Sequence, residues 1–229
     1  MQMHTAKETF AMQCDALIFD MDGTLLNTLE EIADAMNAAL ATLGFPPHDY
    51  DAYRMYVGYG MDMLAGSVLP EDSRDDAHVN RCVDAMRRIY GERYAFKSKP
   101  YDGIPELLDA LSEKGISMTI LSNKPDDFTR KMTEKLLGKW RFALIRGVIP
   151  GQPRKPDPAA ALDIAETLGV LPERVAFLGD SAIDMTTANR AGMFSIGVLW
   201  GFRTKEELME SGAKLLIAHP LELLDFLDP

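Results

Sequence analysis

The stretch Ala16-Leu17-Ile18-Phe19-Asp20-Met21-Asp22-Gly23-Thr24-Leu25 decides how this chain is read. Four consecutive apolar residues suit a short strand buried on both faces. Two carboxylates follow, two residues apart, and behind them stand a glycine and a hydroxyl. Acids at the edge of an apolar core cost stability unless a cation or a hydrogen-bond donor meets them. A metal ion, or chemistry on an anionic ligand, is the natural reason to keep them there. Taken alone, Asp-x-Asp-Gly is also an ordinary turn, so the rest of the chain must supply matching parts.

Working outward, short apolar runs recur at 117–121, 144–149, 175–178 and 195–199. Helical patterns separate them. Residues 103–114 align Ile104, Leu107, Leu108 and Leu111 on one face, with Gly115 as a stop. Residues 157–168 open with Asp157-Pro158, a cap followed by proline at the first helical position, and stop at Gly169. Residues 204–211 open with Thr204 and Glu207, the spacing of a capping box. This alternation predicts a doubly wound α/β domain around a parallel sheet.

One segment breaks the alternation. Between Leu25 and Pro100 no strand stands out. Thr28 and Glu31 have capping-box spacing, and Leu29, Ile32, Ala33, Met36, Leu40 and Leu43 form an apolar helical stripe. Residues 49–66 and 73–96 also read as helical. The predicted division is therefore an α/β core of residues 13–27 and 100–229 and a helical insert of residues 28–99. An insert leaving from the strand that carries the acids is well placed to act as a lid.

The 229 residues can bury a sizeable core, and 47% apolar with 26% charged residues is ordinary for a globular protein. The net charge of -11 argues against broad electrostatic binding to nucleic acid or an anionic membrane surface. Cys14 and Cys82 lie far apart and form neither a metal motif nor a disulfide framework, which suits reduced thiols in a cytoplasmic protein. No apolar run approaches the length of a membrane helix. Residues 1–12 read as a loosely held extension, with Met12 an alternative start.

Three more strand ends carry polar groups: Ser122-Asn123-Lys124-Pro125, Lys155-Pro156-Asp157-Pro158, and Gly179-Asp180-Ser181-Ala182-Ile183-Asp184. Ligands of open α/β sheets bind beyond the carboxyl ends of the strands, so all four ends would meet in one crevice. Each has a bland reading alone: Ser122-Asn123 as a helix cap, Lys155 as a surface lysine, Asp184 as a first-turn acid favouring the helix dipole. Their order and spacing together are hard to obtain by chance.

Asp20-Met21-Asp22-Gly23-Thr24, Ser122, Lys155 and Gly179-Asp180-Ser181-x-x-Asp184 resemble, in order, the four motifs of the haloacid-dehalogenase-like hydrolase superfamily. Val57-Gly58-Tyr59-Gly60, Tyr101-Asp102-Gly103 and Val198-Leu199-Trp200-Gly201 are similar to its phosphoglycolate phosphatase branch. Asn27 departs from that branch, which usually has Asp there. The resemblance implies a Rossmann-like core with an inserted α-helical cap, and phosphomonoester hydrolysis through an aspartyl-phosphate. It implies Asp20 as nucleophile and Asp22 as the acid and base. Lys155, Thr24, Ser122 and Asn123 would bind the phosphoryl group. The implied Mg²⁺ ligands are Asp20, the Asp22 carbonyl, Asp180 and Asp184, the last directly or through water. Gly58 and Arg54 are the cap residues expected at the substrate, Gly58 for close backbone approach and Arg54 for pairing a carboxylate. A solvated helix face accounts for Arg54 equally well, and solvated surface accounts for Arg87, Arg88, Arg93, Lys97 and Lys99.

The implied partner is a small phosphorylated metabolite, first of all 2-phosphoglycolate, with pyrophosphate, nucleotides and sugar phosphates as alternatives. A phosphosugar mutase uses the same nucleophile, and a non-catalytic phosphate-binding regulator would not need both aspartates. A halide-releasing dehalogenase is disfavoured because Asp22 is present. Oligomeric state is not legible.

Overall fold

The computed structural model describes residues 13–227, and the extension expected at residues 1–12 lies outside them. Strand β1 (Ala16–Phe19) is fully buried. After the Asp20–Leu25 turn come a two-residue strand β2 (Leu26–Asn27) and four helices: α1 (Leu29–Thr42), α2 (Tyr50–Tyr56), α3 (Met61–Val68) and α4 (Asp76–Arg93). The chain returns through β3 (Lys99–Pro100), which pairs antiparallel with β2. The sequence pattern gave no sign of this ribbon, since two residues are too few to show a period.

From there helices and strands alternate: α5 (Ile104–Glu113), β4 (Ser117–Pro125), α6 (Asp126–Leu137), β5 (Leu144–Val148), α7 (Ala159–Leu168), β6 (Val175–Gly179), α8 (Ala182–Arg190), β7 (Phe194–Val198), α9 (Lys205–Glu210) and β8 (Leu215–Ile217). The six long-range strands pair in parallel in the order β5-β4-β1-β6-β7-β8. β1 sits in the middle, and its residues divide by parity. Leu17 and Phe19 join an apolar cluster with Leu107, Met132 and Ile196, whereas Ala16 and Ile18 join one with Ala161, Ile164 and Phe177. A strand that feeds two cores is covered by helices on both faces, as the doubly wound reading requires. Each fully buried Leu, Ile, Phe or Met stabilises the fold by about 1.5–3 kcal/mol.

Register positions the polar strand ends. Phe19 lies opposite Ile120 of β4 on one side and Leu178 of β6 on the other. Asp20, Ser122 and Asp180 therefore emerge at one edge of the sheet. The Asp20 N–H donates to the Leu178 carbonyl at 2.9 Å, tying the first acid to β6.

Helices α1 to α4 enclose their own apolar interior, with Met36, Leu40, Tyr53, Leu64, Cys82, Met86 and Tyr90 buried. Three local expectations change here. The helix expected over 49–66 is broken at Val57-Gly58-Tyr59-Gly60, where Gly58 and Gly60 take φ of 112° and 103°, a region L side chains avoid. The Thr28–Glu31 capping box does not form. Glu31 is drawn away instead, accepting from Arg93 Nε at 2.9 Å and the Lys97 N–H at 2.6 Å, so Arg93 is an interhelical tie and not solvated surface. Helix α7 starts one residue later than expected, at Ala159, whose N–H donates to Asp157 Oδ1. Among the described residues no helix is long and apolar enough to cross a membrane.

Candidate active site

The turn after β1 is closed by backbone alone. Met21 O accepts from the N–H groups of Thr24, Leu25 and Leu26, and Gly23 N–H donates to Leu26 O. Gly23 has φ of 90°, and a Cβ there would stand 2.3 Å from Asp180 Oδ2. Glycine serves two needs at once: the left-handed backbone and the close approach of the turn to the second acid.

Asp20 and Asp22 leave this turn into different surroundings. Asp20 is buried, with Lys155 Nζ at 2.8 Å from its Oδ1. Among the described residues no donor other than this ammonium reaches Oδ1. Burial pushes the Asp20 carboxyl up to about 7 against the pull of Lys155, with the charges of Asp184 and Asp22 adding to the rise. Asp22 instead meets Lys124, whose Nζ donates to both carboxylate oxygens at 3.0 and 2.9 Å. The same ammonium stands 4.8 Å from the Tyr90 ring centroid. Burial alone would lower the Lys124 pKa, but Asp22 and Tyr90 hold it above its ordinary value.

Lys155 bridges Asp20 and Asp184, at 2.8 and 2.7 Å. Asp184 is also fixed through its other oxygen, which accepts from Ser181 Oγ at 2.6 Å and from the Ser181 N–H at 3.2 Å. This is the reciprocal cap that opens α8. Asp180 accepts from the Phe202 N–H at 2.7 Å and faces the Thr24 hydroxyl at 3.5 Å. Burial raises its carboxyl well above the usual range, with Asp184 and Asp20 adding to the rise. Thr24 thus points at Asp180, and its carbonyl accepts from Trp200 Nε1 at 3.0 Å.

Oxygens of Asp20, Asp180 and Asp184 lie within 4.8 Å of one another, close enough to share one metal ion. The donor set is entirely hard oxygen, which suits Mg²⁺ or Ca²⁺. Asp20 Oδ1, met by Lys155 alone, and three buried acids around a single lysine fit a bound cation. Both oxygens of Asp184 are already engaged, so its fit is through the surrounding network more than as a bare ligand.

Ser122 and Asn123 stand at the end of β4, both buried. Ser122 Oγ accepts from the Lys124 N–H at 3.2 Å. Asn123 Nδ2 donates to Gly58 O at 3.0 Å and Lys155 O at 2.9 Å, bracketing the α2–α3 turn against the loop that carries Lys155. A cavity opens where these parts meet. Asp20, Asp22, Ser122, Asn123 and Lys124 form its floor, and Ile32, Val57, Gly58, Met61, Met86 and Tyr90 are among its walls.

Of the residues expected from sequence, Asp20, Asp22, Thr24, Ser122, Asn123, Lys155, Asp180, Asp184 and Gly58 come together. Arg54 does not line the cavity: its side chain is 47% exposed and pairs with Asp51 at 3.6 Å. Two buried cations had no part in the expected site. Lys124 lay inside a quoted motif, and only its position near the end of β4 could have marked it. Arg203 donates from Nη2 to the carbonyls of Met55 and Val57, at 2.9 and 3.0 Å, and so holds the end of α2. No sequence signal distinguished it.

The chain is similar over most of its length to proteins with known names. It is 33% identical over 220 residues to the N-acetylmuramic acid 6-phosphate phosphatase of Pseudomonas aeruginosa, covering 95% of this chain and 96% of that one. It is 31% identical over 212 residues to the phosphoglycolate phosphatase of Aquifex aeolicus, covering 93% and 96%. The solved structure of a "putative phosphoglycolate phosphatase" from Lactobacillus delbrueckii subsp. bulgaricus superposes with a TM-score of 0.85 at 27% identity, covering 93% and 97%. With residues 17–198 matching its profile, and with the four polar strand ends gathered in one crevice, the chain belongs to the haloacid dehalogenase-like hydrolase family.

Proposed function

We propose that this chain is a metal-dependent phosphatase that hydrolyses a small phosphomonoester through an aspartyl-phosphate on Asp20. The observation that carries the reading is the pair of carboxylates two residues apart, each held by a different buried lysine. Binding alone has no need of two separately held acids. A nucleophile beside a proton carrier does need them, because the two must act at opposite ends of the breaking bond.

In this reading an Asp20 oxygen attacks phosphorus while Asp22 protonates the departing alkoxide. Asp22 then takes a proton from the water that hydrolyses the acyl phosphate. Ser122 Oγ and the Asn123 N–H bind phosphoryl oxygens. Lys155 sits between Asp20 and Asp184 and offers its remaining donor capacity to the phosphoryl group. Thr24 keeps the turn against Asp180. Mg²⁺ would be held by Asp20, the Asp22 carbonyl and Asp180, with Asp184 behind them, and when bound it supplies positive charge to the acids and the phosphoryl oxygens.

Residues 28–99 serve as a cap over a core of residues 13–27 and 100–229, and the β2–β3 ribbon is the connection between them. The free thiols of Cys14 and Cys82 support a cytoplasmic setting. The relatives' names divide between phosphoglycolate and a phosphorylated amino sugar, so they support the reaction class more than one substrate.

The test is phosphate release from a panel of small phosphorylated metabolites, with Mg²⁺ and with chelator. The panel includes 2-phosphoglycolate, N-acetylmuramic acid 6-phosphate, pyrophosphate, nucleoside monophosphates and sugar phosphates. Mg²⁺-dependent release from at least one monoester, lost in Asp20→Asn, is expected. Isomerisation of a phosphosugar without release would overturn the hydrolase reading in favour of a mutase.

A further inference from the structure

We infer that the leaving group of the substrate carries an uncharged, apolar substituent, and that this substituent docks against Ile32, Met61, Leu64, Met86 and Tyr90. The inference deepens the phosphatase reading and rests on it. The cavity has two unlike halves. Its floor is polar and belongs to the reacting phosphate, whereas the wall provided by α1, α3 and α4 presents Ile32, Met61, Leu64, Met86 and Tyr90. The Tyr90 hydroxyl does not face the cavity as a donor; it donates to Met132 Sδ at 3.3 Å.

Among the described lining residues Lys124 is the single cation, and its ammonium is paired with Asp22. Two of its donors go to the two oxygens of Asp22, and it stands against the face of Tyr90. The arginines of the neighbourhood lie outside the lining. Arg54 pairs with Asp51, and Arg154 pairs with Asp62 at 2.6 Å. Arg203 is held by Glu207 and by the carbonyls of Met55 and Val57; its Nη1 is buried without a partner, but it too lies outside the lining. A carboxylate on the leaving group would lose its water and meet no unpaired cation among the described lining residues, which is costly. An alkyl substituent of the same size would gain by leaving water.

The closing experiment compares two esters of equal heavy-atom count. Isobutyl phosphate replaces the carboxylate of 2-phosphoglycolate by an isopropyl group on the same CH₂–O–phosphate. Purified full-length protein with Mg²⁺ is assayed for kcat/KM on both, with p-nitrophenyl phosphate as a general phosphatase substrate. The expected result is a preference for isobutyl phosphate of at least about tenfold, expressed mainly in KM. Met61→Lys, which puts an ammonium on the apolar wall, should shift the ratio toward 2-phosphoglycolate by at least about fivefold, while the uncharged Met61→Gln should not. Equal or better turnover of 2-phosphoglycolate by the wild-type protein overturns the inference and leaves the phosphatase reading standing. An unchanged ratio in an active Met61→Lys protein overturns the assigned location. Absence of release from all three esters and from every monoester of the wider panel sinks the phosphatase reading itself. The wild-type ratio decides the substrate class whether or not the lysine variant folds.

Discussion

Lys124→Met would remove an ammonium that donates to both oxygens of Asp22, in a pair whose side chains are only 5% and 10% exposed. At the 2.9 Å separation the attraction is about 6 kcal/mol for an effective dielectric near 20. Desolvation of both ions offsets most of it, so the intact pair adds little net stability. Breaking the pair is different, because one buried charge remains without its partner, at a cost of about 3–5 kcal/mol. Methionine keeps the unbranched stem against Tyr90, which limits the loss from packing. In a chain of this size that cost corresponds to a melting temperature lower by about 6–20 °C. The assay is urea unfolding of four proteins: wild type, Lys124→Met, Asp22→Asn and the double variant. Each single variant should lose about 3 kcal/mol or more, while the double variant, with no orphaned charge, should lose about 2 kcal/mol or less. The m value should stay constant throughout. Additive losses, with a double variant at the sum of the singles to within about 0.5 kcal/mol, would refute the reasoning.

Asp20→Asn should lower aryl phosphate hydrolysis by more than about 10³-fold with an unchanged far-ultraviolet circular dichroism spectrum; retained turnover would exclude Asp20 as nucleophile. Mg²⁺ at about 100 times its dissociation constant should stabilise the wild type by about 2.7 kcal/mol, a rise of roughly 5–10 °C in thermal melting. Asp180→Asn should abolish that rise, and an equal rise in both proteins would remove Asp180 from the metal site. Arg203→Met should cost about 1.5–3 kcal/mol in denaturant unfolding, since two carbonyls at the end of α2 lose a charged donor; a loss below about 0.5 kcal/mol would show that the contact does not hold α2.

The parts of the fold legible in the sequence are those with enough residues to show a period. β1 and β6 could be read from continuous apolar runs, and α5 from Ile104, Leu107, Leu108 and Leu111, all buried. The β2–β3 ribbon and the three-residue β8 are too short to carry a pattern. The 49–66 segment read as one helix because its apolar residues keep helical spacing across the break. The two left-handed glycines, and the Asn123 bond that holds the turn, are properties of the folded backbone. The site was legible where a polar group stands at or just past the end of an apolar run, as at Asp20, Ser122 and Asp180, whereas Lys155, in the loop beyond β5, and Asp184, inside α8, were read from the order of the motifs. Lys124 escaped because buried lysines are rare, and only the fold brings it to Asp22. Glu31 misled for the opposite reason: its spacing fits a local cap, but Arg93 and the Lys97 N–H, more than sixty residues away, compete for it and win.

The charges of the site explain why its two halves are so unlike. Asp20, Asp22, Asp180 and Asp184 are all buried, against the ammoniums of Lys124 and Lys155. Lys124 cancels Asp22 locally, which leaves three acids to share Lys155 in one cluster whose oxygens lie within 4.8 Å. Burial raises the Asp20 and Asp180 carboxyls, so in the absence of a cation protonation relieves part of this charge. In the proposed mechanism a divalent cation would balance this cluster instead, lowering both carboxyls and keeping Asp20 ionised for attack. With the cation bound, the new negative charge of a phosphate ester would be met by Lys155, the cation and hydrogen-bond donors such as Ser122. Among the described lining residues no further cation is left over for a second anionic group. The apolar wall of Ile32, Met61, Leu64, Met86 and Tyr90 is the counterpart of this saturation: positive charge is concentrated where the phosphoryl group reacts, and the rest of the ligand is sorted by its willingness to leave water.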